Sequence, residues 1–378
     1  TANTVIIYND KVVVDEPSII AIQRDDQKVM AVGKRAMMMH GKTHENIKTI
    51  RPLRDGVIAE FDLVETLLTT FIKRVQKYPL FIVHPRVVVG VPSGITEVEK
   101  RAVIDAATHA GAKEVHLVHE PMAAAIGMGI PVEDPTGNMV VDIGGGTSDI
   151  AVIALNGIAC QSSVRTAGDE MDEAIIRYMR QMYNLGVGPT SAEQIKIKIG
   201  SAFPLEEELT MEVKGHDHIA GMPRTVTITS EEIREALNEP ITAIIDTIKD
   251  TLSRTAPELS ADIYDKGIIM TGGGSLLRGL DAKIRQVTGL SVNVIDDSLI
   301  CVCKGTARIL EDLENQQDLR GAAISYIVMS VVFMAALPIV KLYNATILSA
   351  SEMQYYDTRS GMLFAAAYIG FLFILIAI

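Results

Sequence analysis

Val140-Val141-Asp142-Ile143-Gly144-Gly145-Gly146-Thr147-Ser148-Asp149-Ile150-Ala151-Val152-Ile153-Ala154 is the stretch on which the reading of this chain turns. An apolar run leads into Asp142, three glycines follow without a break, and period-two alternation runs from Thr147 to Ala154. The pattern predicts two strands folded back on each other as a hairpin around a glycine turn. Without Cβ atoms, glycines let bare backbone N–H groups approach an anion at angles a side chain would block. Asp142, just before the turn, is placed to hold a hydrated Mg²⁺ against that anion, and Thr147 adds a hydroxyl donor. Alone, the stretch reads equally well as an ordinary glycine-rich hairpin. The rest of the chain decides.

The 378 residues are 48% hydrophobic, enough for more than one core. A net charge of −12 argues against nucleic acid as the main partner. Cys160, Cys301 and Cys303 form no disulfide framework. The C-x-C pair lacks the second pair a zinc site requires, so all three read as reduced, buried thiols of a cytosolic protein. No basic and apolar leader opens the chain at Thr1, so no secretory signal is read there. Residues 321–340 and 362–378 are apolar throughout. Each approaches the ~20 residues a bilayer span requires, and both are read as transmembrane segments.

Upstream of the central stretch, residues 1–14 read as a first hairpin turning at Asn9-Asp10. Gly41-Lys42-Thr43 is not a phosphate-binding P-loop. Ala36 stands where its first glycine belongs, and Met37-Met38-Met39 look helical rather than extended. Residues 63–75 suit an amphipathic helix, and 78–83 form an apolar loop that either joins the core or touches a membrane. A buried strand is expected over 86–91, turned by Pro92-Ser93-Gly94. Thr96 and Glu99 spell a capping box for a helix that Gly111 stops. A strand follows at 115–118, where His116 and His119 fall on opposite sides. Glu120-Pro121 then opens a helix. Spacing alone favours Glu120 as a surface carboxylate settled on the helix dipole, over one that orients a water in a cleft.

Downstream, helices are expected over 172–183 and 191–199, and two strand-like segments within 211–229. A long helix over 231–252 is interrupted at Pro240. A second glycine cluster, Thr271-Gly272-Gly273-Gly274, follows a strand at 267–270, with Ser275 expected to cap a helix running to about 288. Strand, glycine turn and helix suit a nucleotide at a helix N-terminus. Dinucleotide-fold spacing would need glycine at 277, where Leu277 stands. A last helix is expected over 305–313. The recurrence of hairpins, strand-end turns and following helices points to two related halves gripping phosphates from both sides. Backbone donors and Mg²⁺ would then carry the charge that a P-loop lysine carries elsewhere.

Six motifs together resemble the MreB family of bacterial actin homologues, within the superfamily of actin, sugar kinases and heat-shock chaperones. They are Thr1-Ala2-Asn3-Thr4, Ile50-Arg51-Pro52-Leu53-Arg54-Asp55-Gly56-Val57-Ile58-Ala59, Val91-Pro92-Ser93-Gly94, Glu120-Pro121-Met122-Ala123-Ala124-Ala125-Ile126-Gly127, Asp142-Ile143-Gly144-Gly145-Gly146-Thr147 and Thr271-Gly272-Gly273-Gly274. The resemblance covers residues 1 to about 315. It implies an α/β, actin-like two-lobed ATPase fold: two RNase H-like halves with smaller inserted subdomains, followed here by the two transmembrane segments. Lobe I would span 1–137 with an insertion at about 16–56. Lobe II would span 138–300 with an insertion at about 167–225, and a helix at 301–315 would pack back on lobe I. The implied function is to bind ATP, polymerise with copies of itself beneath the inner membrane, hydrolyse ATP slowly and direct rod-shape wall growth. Cell-wall elongation membrane proteins would be its partners.

Carried over by position, Thr1, Ala2 and Asn3 touch phosphate, and Gly144, Gly145, Gly146 and Thr147 form the second phosphate loop. Glu193, Gln194, Ile195 and Lys196 reach the ribose or base side, and Gly272, Gly273, Gly274 and Ser275 hold the adenosine. Asp142 positions Mg²⁺. Glu120 orients the attacking water, which reverses the preference from spacing, with Thr147 as the second catalytic group. Leu80 and Phe81 fall where the family has a membrane-inserting loop. The chain departs from the family twice. The family's first hairpin begins Asp-x-Gly-Thr and this chain begins at that threonine, without an aspartate that helps position Mg²⁺. The apolar tail from about 318 is foreign to the family. A small-molecule kinase of the superfamily would need an acceptor pocket and usually a larger inserted domain. A chaperone ATPase would need a peptide-binding β domain after the nucleotide domain. No segment reads as either.

Overall fold

The computed structural model describes residues 2–8, 11–75, 85–313 and 315. By its contacts the chain divides into residues 1–311 and 312–378, and the architecture below is that of the first unit. Thr1, the turn at Asn9-Asp10, Leu80 and Phe81, and both apolar tail segments lie outside the described residues. Among the described residues, no helix is long and apolar enough to cross a membrane.

The chain opens as expected with an antiparallel pair, β1 (Asn3–Tyr8) and β2 (Lys11–Pro17). Then come β3 (Ile20–Gln23), β4 (Val29–Val32), α1 (Lys34–Met39) and β5 (Ile47–Ile50), the strands ordered β4-β3-β5. Val14, Ile20, Ile22, Val32 and Ile50 bury against Leu67 and Phe71 of α2 (Phe61–Val75). A short ribbon, β6 (Leu53–Arg54) and β7 (Val57–Ile58), precedes α2. β8 (Arg86–Val91) and β9 (Glu114–His119) run parallel, joined through α3 (Glu97–His109). The capping box is formed: Thr96 Oγ1 accepts the Glu99 N–H at 3.3 Å, and Glu99 Oε2 accepts the Thr96 N–H at 2.8 Å. β8 was expected to be buried. Only Val91 is; the rest is half-buried, because among the described residues β9 is its one ladder partner. α4 (Glu120–Met128) leaves β9 without a loop, with Pro121 in its first turn.

The second part holds β10 (Asn138–Ile143), β11 (Ser148–Ala154), β12 (Gly157–Val164), α5 (Gly168–Tyr183), β13 (Leu185–Gly186), α6 (Pro189–Ile199), β14 (Thr210–Asp217) and β15 (Pro223–Thr229). It continues with α7 (Ser230–Ala236), α8 (Asn238–Arg254), α9 (Pro257–Lys266), β16 (Ile268–Thr271), α10 (Leu280–Thr288), β17 (Val292–Val294) and a helix α11 over 301–313. Five strands form one sheet in the order β12-β11-β10-β16-β17, antiparallel through the first three and parallel through the rest.

β10 is buried at every position because the sheet is covered on both faces, which explains its continuous apolar run. Met139, Val141 and Ile143 join Ile150, Val152 and the apolar stripes of α5 and α8 in the largest core. Val140, Ala151 and Ile153 point the other way, onto Ala124 and Ala125 of α4 and onto Cys301. α11 lies so close to α4 that the backbones touch. A Cβ on Gly305 would stand 1.7 Å from Ala123 O, and one on Gly127 2.1 Å from Cys301 O.

Two local expectations are corrected. Pro240 does not interrupt its helix. The break falls at Leu237, between α7 and α8, and Pro240 sits in the first turn of α8, where a missing N–H loses no helical bond. Ser275 does not cap a long helix. A single 3-10 turn spans Gly273–Leu276, and α10 starts only after Gly279, whose φ of +70° breaks the helical path. Ser275 Oγ instead donates to Gly272 O at 2.7 Å, inside its own turn.

Candidate functional site

Side-chain parity places the acids. Asp142 shares a face of β10 with Val140, and Asp149 shares a face of β11 with Ala151 and Ile153, so both carboxylates look toward α4. The hairpin register pairs them directly, Asp142 against Asp149. Like charges facing each other in a ladder are unfavourable, and burial sharpens the cost. Glu120 opens α4 at the end of β9 and faces the pair. Asp149 was not singled out from the sequence. Its signal was symmetry: a hairpin centred on Gly145 and Gly146 must pair 142 with 149.

Burial pushes the Glu120 carboxyl up to about 7, with Asp149 adding to the rise. Burial, with Glu120 and Asp149 nearby, holds Asp142 well above the usual aspartate range. Burial also raises Asp149, while the Ser93 N–H and the nearby hydroxyls of Ser163, Thr147 and Ser93 pull it back down. Asp149 Oδ1 accepts the Ser93 N–H at 2.6 Å. Its Oδ2 and Ser93 Oγ are buried without a hydrogen-bond partner. Among the described residues none of the three acids forms an ion pair, and no group of three or more His, Cys, Asp or Glu side chains is arranged to hold a metal ion by itself.

The glycine turn lies against the chain's start and against α5. A Cβ on Gly145 would stand 2.4 Å from the Ala2 Cβ, which puts Ala2 beside the turn. The Gly168 and Asp169 N–H groups bond Gly144 O and Gly145 O at 3.2 and 2.7 Å. Gly144 N–H bonds Thr147 O at 2.9 Å, and Thr147 is buried. Asn3 is exposed at the start of β1. The second cluster reaches the same place: a Cβ on Gly272 would stand 2.4 Å from Asp142 Oδ1.

α6 divides its four candidates. Lys196 Nζ lies 2.9 Å from Asp172 Oδ1 and donates to Gly168 O at 2.8 Å, which ties it to the α5 start beneath the glycine turn. Glu193, one turn earlier, is half-buried and near enough to Asp172 to raise its pKa. Gln194 is exposed. Ile195 is fully buried with Ala192 and Ile199, so its side chain serves the core rather than an open surface. The structure thus brings together Ala2, Glu120, Asp142, the Gly144–Thr147 turn, Gly272 and Lys196, with Ser275 turned inward and Ile195 facing away.

The Glu120 shift gives a pH test. Its folded pKa lies above the unfolded value of 4.5, so between 4.5 and about 7 the folded state holds a proton the unfolded state has released. The stability this contributes is complete below 4.5 and is lost as pH rises to about 7. Glu120→Gln should therefore gain stability relative to the unsubstituted protein across that window and level off above it. Urea denaturation of both proteins at several pH values reads the difference, and a difference independent of pH would count against an enclosed carboxyl.

The comparisons with known proteins agree with one another. The MreB/Mbl protein family matches residues 1–318. The chain is 48% identical over 319 residues to the cell shape-determining protein MreB of Escherichia coli (strain K12), covering 83% of this chain and 92% of that protein. It is 44% identical over 315 residues to the cell shape-determining protein Mbl of Bacillus subtilis (strain 168), covering 83% and 94%. The crystal structure of MreB 5 of Spiroplasma citri bound to AMPPNP aligns with a TM-score of 0.80 at 36% identity, covering 85% of this chain and 96% of that one. A MamK double helical filament shares the fold at a TM-score of 0.71 and 23% identity. The expected actin-like fold is therefore the fold observed. With the matched region holding both glycine turns and the acids Glu120, Asp142 and Asp149, this chain belongs to the MreB/Mbl family.

Proposed function

We propose that this chain binds ATP with Mg²⁺ between its two glycine turns and is the subunit of a cytoskeletal filament that determines rod shape. The observation that carries the reading is the pair of buried aspartates, Asp142 and Asp149, with the half-buried Glu120 facing them and no ion pair to any of the three among the described residues, beside glycine positions where a Cβ would collide. Acids so placed call for a cation, and bare backbone beside them suits phosphate. Mg²⁺ keeps much of its water and binds through one or two carboxylates plus phosphates, and the buried Asp142, beside the Gly272 turn and leading into the Gly144–Thr147 turn, is the carboxylate placed to be its protein contact.

In this reading Ala2, Asn3 and the Gly144–Thr147 turn cradle phosphate, Gly272–Gly274 lie under the adenosine, and Glu193 and Lys196 approach the sugar. Bound Mg²⁺ would neutralise the charge of the phosphates. Glu120, with a pKa about 7, is suited to hold a water and accept its proton. Support for the assembly comes from relatives named cell shape-determining proteins, and support for the nucleotide from MreB 5 structures bound to AMPPNP and to ADP. Action in the cytoplasm beneath the inner membrane, contact through Leu80 and Phe81, and association with wall-elongation membrane proteins extend the proposal on the family resemblance.

Sedimentation of the full chain tests it. Addition of ATP and Mg²⁺ should move the protein into the pellet as filaments visible by electron microscopy, with little pelleting in EDTA. Protein that remains in the supernatant with ATP while phosphorylating a sugar would replace the filament reading with a kinase.

A further inference from the structure

Asp149 is given neither the Mg²⁺ contact nor the attacking water, yet it is fully buried and joins two distant segments. Its Oδ1 accepts the N–H of Ser93 at 2.6 Å, across 56 positions of sequence. Ser93 lies in the turn after β8, and the surroundings of that turn are close. A Cβ on Gly94 would stand 2.9 Å from the Ser163 Cβ of β12. One on Gly56 would meet Thr147 Cγ2 at 2.6 Å and Pro92 Cγ at 2.8 Å. Gln161 Nε2 adds a donor to Ser93 O at 3.5 Å. The turn is thus seated on β11 and β12 by a charge-assisted bond at its centre and by missing side chains around it.

What this seat controls follows from the ladder. β8 and β9 are parallel, with Val91 opposite His119. Ser93 comes two residues after Val91, and Glu120 comes one residue after His119. A Cβ on Gly90 would lie 3.4 Å from Glu120 Cγ, so the β8 backbone backs the Glu120 side chain. Fixing Ser93 fixes the strand ends from which Glu120 projects. Asp142, its counterpart, stands directly opposite Asp149 in the hairpin.

We propose that Asp149 is a positioning residue: by clasping the Ser93 N–H it sets the place of Glu120 relative to Asp142 and the glycine turn, and so governs hydrolysis rather than nucleotide affinity. This rests on the nucleotide reading above, but the clasp can be tested apart from it. The reason for a large effect is geometric, since a catalytic group displaced by an ångström forfeits much of its orientation.

The test uses the full chain with Asp149→Ala, Asp149→Asn and Gly94→Ala. Hydrogen–deuterium exchange over residues 92–95, without nucleotide, reads the clasp itself. Asp149→Ala should exchange there at least about tenfold faster, as local opening becomes easier. Single-turnover hydrolysis should fall at least about tenfold while the Kd for ATP moves less than about threefold. Asparagine keeps an oxygen acceptor, so Asp149→Asn should recover most of both losses. Gly94→Ala, which forces the turn off Ser163 without touching Asp149, should reproduce the alanine phenotype and stands in should Asp149→Ala fail to fold. Unchanged exchange in Asp149→Ala overturns the clasp. Open exchange with unchanged hydrolysis, equal losses of affinity and rate, or an asparagine variant no better than alanine overturns the positioning role. Absence of ATP binding by the unsubstituted protein would instead remove the nucleotide reading, and the exchange result alone would then decide the clasp.

Discussion

Glu120→Ala is expected to slow ATP hydrolysis by about 10²–10⁴-fold, the range that a positioned general base supplies, while nucleotide affinity stays within about threefold. The asymmetry has a physical origin. Glu120 sits at the mouth of α4, half-buried, with desolvation pushing its pKa up to about 7, so near neutral pH it moves readily between holding and releasing a proton. The backbone of the glycine turns, which is assigned to the phosphates, is untouched by the substitution. Pre-steady-state phosphate release and nucleotide titration separate the two effects. A variant that loses affinity and turnover in equal proportion would make Glu120 a structural carboxylate. Filaments formed by the variant should persist longer after a pulse of ATP, because hydrolysis is the step removed.

Gly272→Ala should be the most damaging single methyl in the site, lowering stability by about 2–4 kcal/mol through a strained backbone and overpacking. Its φ is +84°, which side chains other than hydrogen adopt at a cost. The added Cβ would stand 2.3 Å from Ile143 O and 2.4 Å from Asp142 Oδ1. The first neighbour is backbone in a fully buried strand and cannot yield without moving β10. The second is the proposed Mg²⁺ contact. Affinity for Mg²⁺-ATP should therefore fall together with stability. Gly273→Ala is the internal control, since its Cβ meets only Leu299 Cδ2 at 3.2 Å, the tip of an exposed side chain. Thermal unfolding with and without Mg²⁺-ATP distinguishes them. Similar losses from both would mean that the turn is disrupted by any side chain and that contact with Asp142 is irrelevant.

Much of this protein was legible in the order of its residues. The hairpin around Gly144–Gly146, the capping box at Thr96 and Glu99, the proline-led start of α4 and the family resemblance all depend on patterns a few residues long. Such patterns act through local rules: strand parity, the donors left open at a helix start, the freedom of glycine. They hold wherever the segment finally lies. The tertiary structure decided the rest. Ile195 left the candidate site because its face of α6 meets the core, and Ser275 turned inward because Gly272 and Gly279 bend the chain on either side of it. Gly127 and Gly305, 178 positions apart, are explained only by the contact of α4 with α11. Asp149 found its partner in Ser93, in a turn that nothing in either segment's sequence brings near. Hydrogen bonds and close packing act over a few ångströms, so they single out their partners only after the chain has folded and brought distant segments within that range.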